Sequence, residues 1–259
     1  MNRIPKMTIY AGVLLVTVWE IGCRLLAIPE YLLPTPDRIA VKIASNWQML
    51  LGHSGVTLSE AGLGFLLGAA TAVAIAVAIS SSERVAAAVY PLLIVTQVVP
   101  KIALAPLFLI WFGYGLLPKI IIAGLISFFP IVVNTTLGLT YIDGEIIDLM
   151  RSISASRYQV FRMVRAPNAI PYFFSGLKIA ILFSVVGALT GEFVGADRGL
   201  GYLIIIANTT LDTSLLFAAL VFVSLLGIGS FASVSLLHAL ISKRYGGAFT
   251  LEREVVSSV

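Results

Sequence analysis

The sequence predicts an all-α membrane protein with six transmembrane helices, and three observations predict it. Of 259 residues, 59% are hydrophobic and only 12% are charged, with a mean hydropathy of +1.00. A soluble domain carries about 25% charged residues. Six apolar stretches reach the roughly 20 residues that a helix needs to cross hydrocarbon: 7–27, 56–80, 85–114, 119–141, 172–194 and 214–241. Between the fourth and fifth lies a charged, half-apolar interruption at 143–171, too polar to span and too patterned to be a bare linker.

The first stretch is followed by no small-residue cleavage site, so it reads as a retained span rather than a signal peptide. Within it Glu20 and Arg24 stand four apart, the favourable order for a helical ion pair. The connector that follows, LPTPDRIAVKIASNWQMLLG, places Ile39, Ile43 and Trp47 at helical spacing with Arg38 and Lys42 on another face. Either a short interfacial helix or a solvated connector fits that pattern. Gly62, Gly64 and Gly68 in the second stretch suit close helix packing. Pro91, Pro100 and Pro106 punctuate the third, which is therefore kinked or broken, because each proline removes a backbone donor and clashes one turn back. No internal repeat or low-complexity linker divides the chain. Residues 1–55 form a first span with an external connector, 56–241 the transport domain, and 242–259 a cytoplasmic tail.

Orientation follows from the basic residues. With the amino terminus inside, ten lysines and arginines fall on cytoplasmic segments and five outside (Arg24, Arg38, Lys42, Lys119 and Arg198), with Lys101 and Lys178 within spans. That asymmetry predicts both termini and the 143–171 segment on the cytoplasmic side. Inside this segment Ser156 and Gln159 fit a capping box at a helix start. Pro167 is expected to end that helix, giving two short helices, 144–153 and 156–165. Ile146, Met150 and Ile153 mark one stripe; Tyr158, Phe161 and Val164 continue it. Such a basic amphipathic pair suits an anionic lipid surface or a groove on a partner protein.

Residue chemistry narrows the function. No G-x-x-x-x-G-K-[ST] loop is present to cradle a nucleotide, and neither H-E-x-x-H nor G-x-S-x-G occurs. A single cysteine, Cys23, excludes a disulfide framework and a cysteine metal cluster. Candidates for the translocation path are the polar residues at membrane depth, where a charge costs a few kcal/mol. Gln97 and Lys101 share a face of the proline-rich third stretch, and Asn134 and Thr135 lie in the fourth. Glu192 stands near the end of the fifth, with an outer gate or pairing role expected. Lys178 is expected to reach the cytoplasmic surface; His53 reads as a loop residue and His238 as a helix-end residue.

The stretch 145–171 resembles the cytoplasmic EAA loop of ABC importer permeases, which docks on an ATPase subunit. Asp148, Leu149, Met150, Ser154 and Pro167 stand where that pattern has an acid, two alanines, a glycine and a proline, and SASRYQVFRMVRAPNAIP matches the remainder. Bulky residues replace the alanines and serine the glycine, and a serine enters left-handed turn geometry only at a cost, so a reshaped loop is expected. Four further stretches resemble importers of nitrate, taurine and alkanesulfonates, in that family's order: LPTPDRI, TLSEAGLGFLLG, VPKIALAPLFLIWFGYG and GEFVGADRGLGYLI. The third also resembles permeases for thiamine-precursor pyrimidines and riboflavin. The resemblance implies a type I ABC importer permease in a bacterial inner membrane, assembled as a homodimer with two ATPase subunits and a periplasmic or extracellular solute-binding protein. ATP and Mg would sit on the ATPases, with no cofactor on this chain, and no nucleic acid is a partner. It further implies ATPase docking by Asp148, Leu149, Met150, Arg151, Ser154, Ala155, Ser156, Tyr158, Phe161 and Pro167. The alternative is a self-sufficient secondary transporter or channel, which would need no docking loop.

Overall fold

Ten α-helices, a 3₁₀ turn and a π turn make up the described residues, 6–244 of a computed structural model. The tail expected at 242–259 lies outside them from residue 245 onward. Helix α1 (Lys6–Leu25) covers the first expected span, and α2 (Pro36–Ser81) takes in both the connector and the second. The connector is thus helical, joined to the span through a kink at Asn46 (φ −122°, ψ 17°), whose Nδ2 donates to the Lys42 carbonyl one turn back. Helices α3 (Glu83–Val98) and α4 (Ala105–Phe112) flank a 3₁₀ turn (Lys101–Leu104) and meet at 83°. The third span is therefore broken where Val99 and Pro100 take extended backbone, as the prolines demand. Helix α5 (Leu116–Thr140) and the short α6 (Gly144–Ser152) follow.

The next stretch departs from expectation. Pro167 does not end a helix: α7 (Arg157–Val160), a π turn (Phe161–Arg165) and α8 (Ala166–Gly195) run as one rod over Arg157–Gly195. Proline is tolerated in the first turn of a helix, and Pro167 occupies that position in α8. Immediately before it the ladder widens, the Ala166 N–H donating to the Phe161 carbonyl five residues back. The extra residue of the π turn lets the chain pass a position that offers no N–H. Helices α9 (Leu200–Thr209) and α10 (Thr213–Arg244) complete the chain. Among the described residues four helices are long and apolar enough to cross a membrane, and the bent pair α3–α4 makes a fifth when its two halves are counted as one span.

A three-helix centre of α2, α5 and α8 organises the molecule. Where α2 crosses α5, a Cβ built on Gly68 would stand 2.5 Å from Ser127 Oγ and 2.6 Å from the Gly124 carbonyl oxygen, so the backbones touch. Membrane helices lack a hydrophobic drive to pair and gain most from such close packing. Apolar clusters fill the space along the trio: Ala61, Ala123, Val185 and Ala188 toward one end, and Ala72, Ala76, Ile131, Val132, Phe174 and Leu177 toward the other. By contrast α1 and α3 expose most of their apolar side chains. The expected Glu20–Arg24 pair forms on α1, and Arg24 also reaches Asp37 at the start of α2 (2.9 Å).

Candidate functional site: a capped amphipathic loop at one end and a buried ion cluster at the other

Helix α6 begins with the Asp143 carboxylate accepting from the Glu145 N–H (3.0 Å), and it ends in a full Schellman motif. The Ser154 N–H donates to the Arg151 carbonyl and the Ala155 N–H to that of Met150, with Ser154 at φ 55°. The serine therefore takes the left-handed geometry that glycine would take, and the loop keeps its turn. The expected capping box is present: the Gln159 N–H donates to Ser156 Oγ (3.3 Å), and the Ser156 N–H donates to Gln159 Oε1 (2.7 Å). Ala155 sits half-buried between α6 and α7.

Two faces of this loop differ. Met150 is buried and Phe161 packs on the apolar core, while Ile146, Leu149, Ile153 and Tyr158 are exposed. The expected stripe is thus divided, part holding the loop to the bundle and part left outward. Asp148 and Arg151 pair with each other (3.0 Å) on the exposed face, about three-quarters accessible. Pro167 is half-buried in the rod above.

The path candidates scatter. Gln97 is exposed on α3 and Lys101 half-buried on the 3₁₀ turn, on opposite sides of the break, so they do not share a helical face as expected: Val99 and Pro100 interrupt the helix between them. Asn134 turns back on its own helix, donating to the Pro130 carbonyl (2.8 Å), and lies against Gly176 of α8. Thr135 is buried, its hydroxyl without a hydrogen-bond partner among the described residues.

Glu192 belongs to a cluster that the sequence reading missed. At the end of the bundle away from α6, Lys119 Nζ meets Glu60 Oε1 at 2.8 Å, with the residues 5% and 1% exposed. The Glu192 carboxyl, 1% exposed, lies beside that of Glu60. Glu192 Oε1 accepts from Thr57 Oγ1 (2.6 Å), and Oε2 accepts from the Gly201 N–H (2.5 Å). Thr57 Oγ1 accepts in turn from the Leu200 N–H (2.9 Å), and His53 Nδ1 from the Gly199 N–H (2.9 Å). Three successive backbone donors at the start of α9, orphans of any helix start, are thereby capped by side chains of α2 and α8. Gly199 (φ 115°) is packed directly on the Glu192 carboxyl, where any side chain would collide. Two expectations change here. His53 is a helical residue of α2, stacked on Tyr202, because α2 extends through the connector; Lys119 is a buried ion-pair member rather than an external cation. His238 is likewise not at a loose helix end, being buried in α10 and stacked on Phe174 at 4.8 Å. Lys178 is half-buried within α8. The available signal was Glu60 itself, an acid within an otherwise apolar span, which calls for a cation at the same depth.

Comparison with known proteins supports one reading of this architecture. Residues 62–247 match the family model described as binding-protein-dependent transport system inner membrane component. The chain is 36% identical over 240 residues to a probable ABC transporter permease protein of Haemophilus influenzae, covering 92% of this chain and 98% of that protein. It is 37% identical to the formylaminopyrimidine transport permease protein ThiX of Halalkalibacterium halodurans (87% and 90% covered). To the riboflavin transport system permease protein RibX of Chloroflexus aurantiacus it is 35% identical (88% and 86%). Its fold is that of a chain of the inward-facing MetNI methionine ABC transporter, with a TM-score of 0.60 at 19% identity, covering 73% and 96%. The chain is a permease of the binding-protein-dependent transport system inner membrane component family.

Proposed function

We propose that this permease forms the translocation path of an ATP-driven importer in a bacterial inner membrane, receiving its solute from a solute-binding protein and its energy from separate ATPase subunits. The observation that carries the partner assignment is the α6–α7 loop. It is braced internally by a Schellman motif and a capping box, yet presents Ile146, Leu149, Ile153 and Tyr158 with the Asp148–Arg151 pair to the outside. Apolar side chains with a charged pair among them are a surface suited to a groove on a protein partner. The docking set is Asp148, Leu149, Arg151 and Tyr158, with Met150, Ser154, Ala155, Ser156, Phe161 and Pro167 shaping the loop that presents them. ATP and Mg belong to the partner; this chain binds no cofactor.

The α6 end faces the cytoplasm, with both termini on that side, as the distribution of basic residues favours. Two copies of the chain enclose the path, and Gln97 and Lys101, flanking the break at Pro100, line it. Glu192, Asn134 and Thr135 act from within the wall, holding the helices that form it. Two relatives, at 37% and 35% identity, are named for a formylaminopyrimidine and for riboflavin, so a small nitrogen heterocycle is the first solute class to test, before nitrate, taurine or a sulfonate.

Purification in mild detergent with mass spectrometry of the co-purifying chains tests the assignment. A stoichiometric ATPase is expected, and a solute-binding protein would supply the solute. Transport by the chain alone in liposomes would overturn it. A Lys101→Ala variant that inserts normally and moves the identified solute at the wild-type rate would remove Lys101 from the path.

A further inference from the structure

The two helix ends nearest the docking loop are not closed by their own residues. Helix α2 stops at Ser81 and α5 at Thr140, each leaving terminal carbonyls without intrahelical donors. Both sets are served by the first turns of the rod that issues from the loop. Arg165 Nη1 donates to the Ser80 carbonyl of α2 (2.9 Å), a cation at the negative end of a helix dipole. Asn168 Nδ2 donates to the Gly138 carbonyl (2.8 Å) and to the Tyr141 carbonyl (3.0 Å), the last turn of α5. One residue of the π turn and one of the first turn of α8 thus tie together all three central helices. Both lie one to two turns beyond Phe161, the point where the docking loop enters the core. The widened π turn places Arg165 two residues ahead of Pro167.

We infer that Arg165 and Asn168 are the positioning residues that make the docking loop and the inner ends of α2, α5 and α8 move as one body, so that displacement of the loop is delivered to three spans together. This rests on the loop being the ATPase-docking element. Two features of the geometry carry it. The three contacts run between elements far apart in sequence, 85, 30 and 27 residues. They are also directional, so sliding the rod along α2 or α5 lengthens or bends each side-chain bond to its helix-terminal carbonyl and weakens it. Elsewhere the α5–α8 seam is held by close backbone approach at Gly176, Gly187 and Gly191.

The test uses the full chain with whatever ATPase co-purifies, in a Cys23→Ser background, carrying spin labels at Ser81→Cys on α2 and Glu145→Cys on α6 and mixed with excess unlabelled chain so that each assembly holds at most one labelled copy. Distance distributions are recorded without nucleotide and with Mg-ATP and vanadate. In the otherwise unmodified chain one narrow distribution is expected, unshifted by trapping. Asn168→Leu and Arg165→Met should each broaden it and add a second population on trapping, while Arg165→Lys, which keeps a charged donor, should restore the single narrow peak. A distribution that stays narrow in both loss-of-donor variants would overturn the inference, and so would an Arg165→Lys variant as broad as Arg165→Met. Should a variant be recovered poorly, Asn168→Asp, which keeps the shape and removes the donor, reads the same contact. If no ATPase accompanies the parent chain, the docking assignment falls; the nucleotide-free distributions of parent and variants still decide whether the clamp exists.

Discussion

Removing Lys119 is the perturbation with the largest expected cost. Its Nζ is the cation of the buried cluster, 2.8 Å from Glu60 Oε1, with the two residues 5% and 1% exposed. Glu60 Oε2 is already buried without a donor among the described residues, and the Glu192 carboxyl lies alongside. A Lys119→Met variant keeps most of the side-chain volume and leaves two adjacent buried carboxyl groups with no counter-charge. Breaking a buried pair from one side costs about 3–5 kcal/mol, whereas replacing both partners by apolar residues is often neutral or stabilising. Lys119→Met and Glu60→Met should therefore each destabilise by several kcal/mol. The double variant should recover most of the loss, giving a coupling energy of about 3 kcal/mol or more in the cycle. At roughly 2–4 °C per kcal/mol for a chain of this size, each single variant should melt roughly 6–20 °C lower. The assay is thermal unfolding of the four proteins in one detergent, followed by intrinsic tryptophan fluorescence. A Lys119→Met protein melting with the parent would show that the pair contributes nothing, and a double variant no better than the worse single would show that the site is held by something other than charge.

Three further expectations concern local geometry. Ser154→Gly relieves about 1–2 kcal/mol of left-handed backbone cost at φ 55°, offset by up to about 1 kcal/mol of added chain entropy, so amide exchange at residues 154 and 155 should slow slightly; faster exchange would contradict the Schellman closure. Ser156→Ala removes the acceptor of the capping box and should cost about 1 kcal/mol, seen as faster exchange at the Gln159 amide with the spans unaffected. Gly68→Leu forces α2 away from α5 at their closest crossing and should lower the melting temperature by the equivalent of about 1–3 kcal/mol or more, while Gly62→Leu, with open space at its Cβ, should leave it unchanged.

How much of this was legible in the sequence depends on the range of the interaction. Local features were readable: the capping box at Ser156, the Glu20–Arg24 pair and the break among Pro91, Pro100 and Pro106 each involve residues within a few turns. Pro167 was misread because the rule that proline ends a helix assumes a regular ladder behind it, and a π turn five residues long changes that ladder. His53 was misread with it, since the helix runs on through a connector whose composition suited two readings. Lys119, Glu60, Thr57 and Glu192 come from three helices, and Arg165 with Ser80 from two. Those partners are 59 to 135 residues apart, and no periodicity links them. The acid at Glu60 announced that a partner must exist without saying which.

The clamps at the two ends also bear on where the path runs. Helices α2, α5 and α8 are joined at the α6 end by Arg165 and Asn168, and at the other by Lys119–Glu60 and Thr57–Glu192. A trio fastened at both ends and touching backbone to backbone between them leaves no room for a solute among its members. The α3–α4 pair is different. Its 83° break puts the extended backbone of Val99 and Pro100 at the surface of the chain, next to exposed Val98 and Ile102. Non-helical backbone cannot face lipid at membrane depth, because its polar groups would have neither water nor a partner. It must be covered by protein or lie along water. A second copy of the chain facing this break, with an aqueous path between the two, satisfies both conditions. That is the physical ground for the proposal that Gln97 and Lys101, rather than the more deeply buried Glu192, contact the solute.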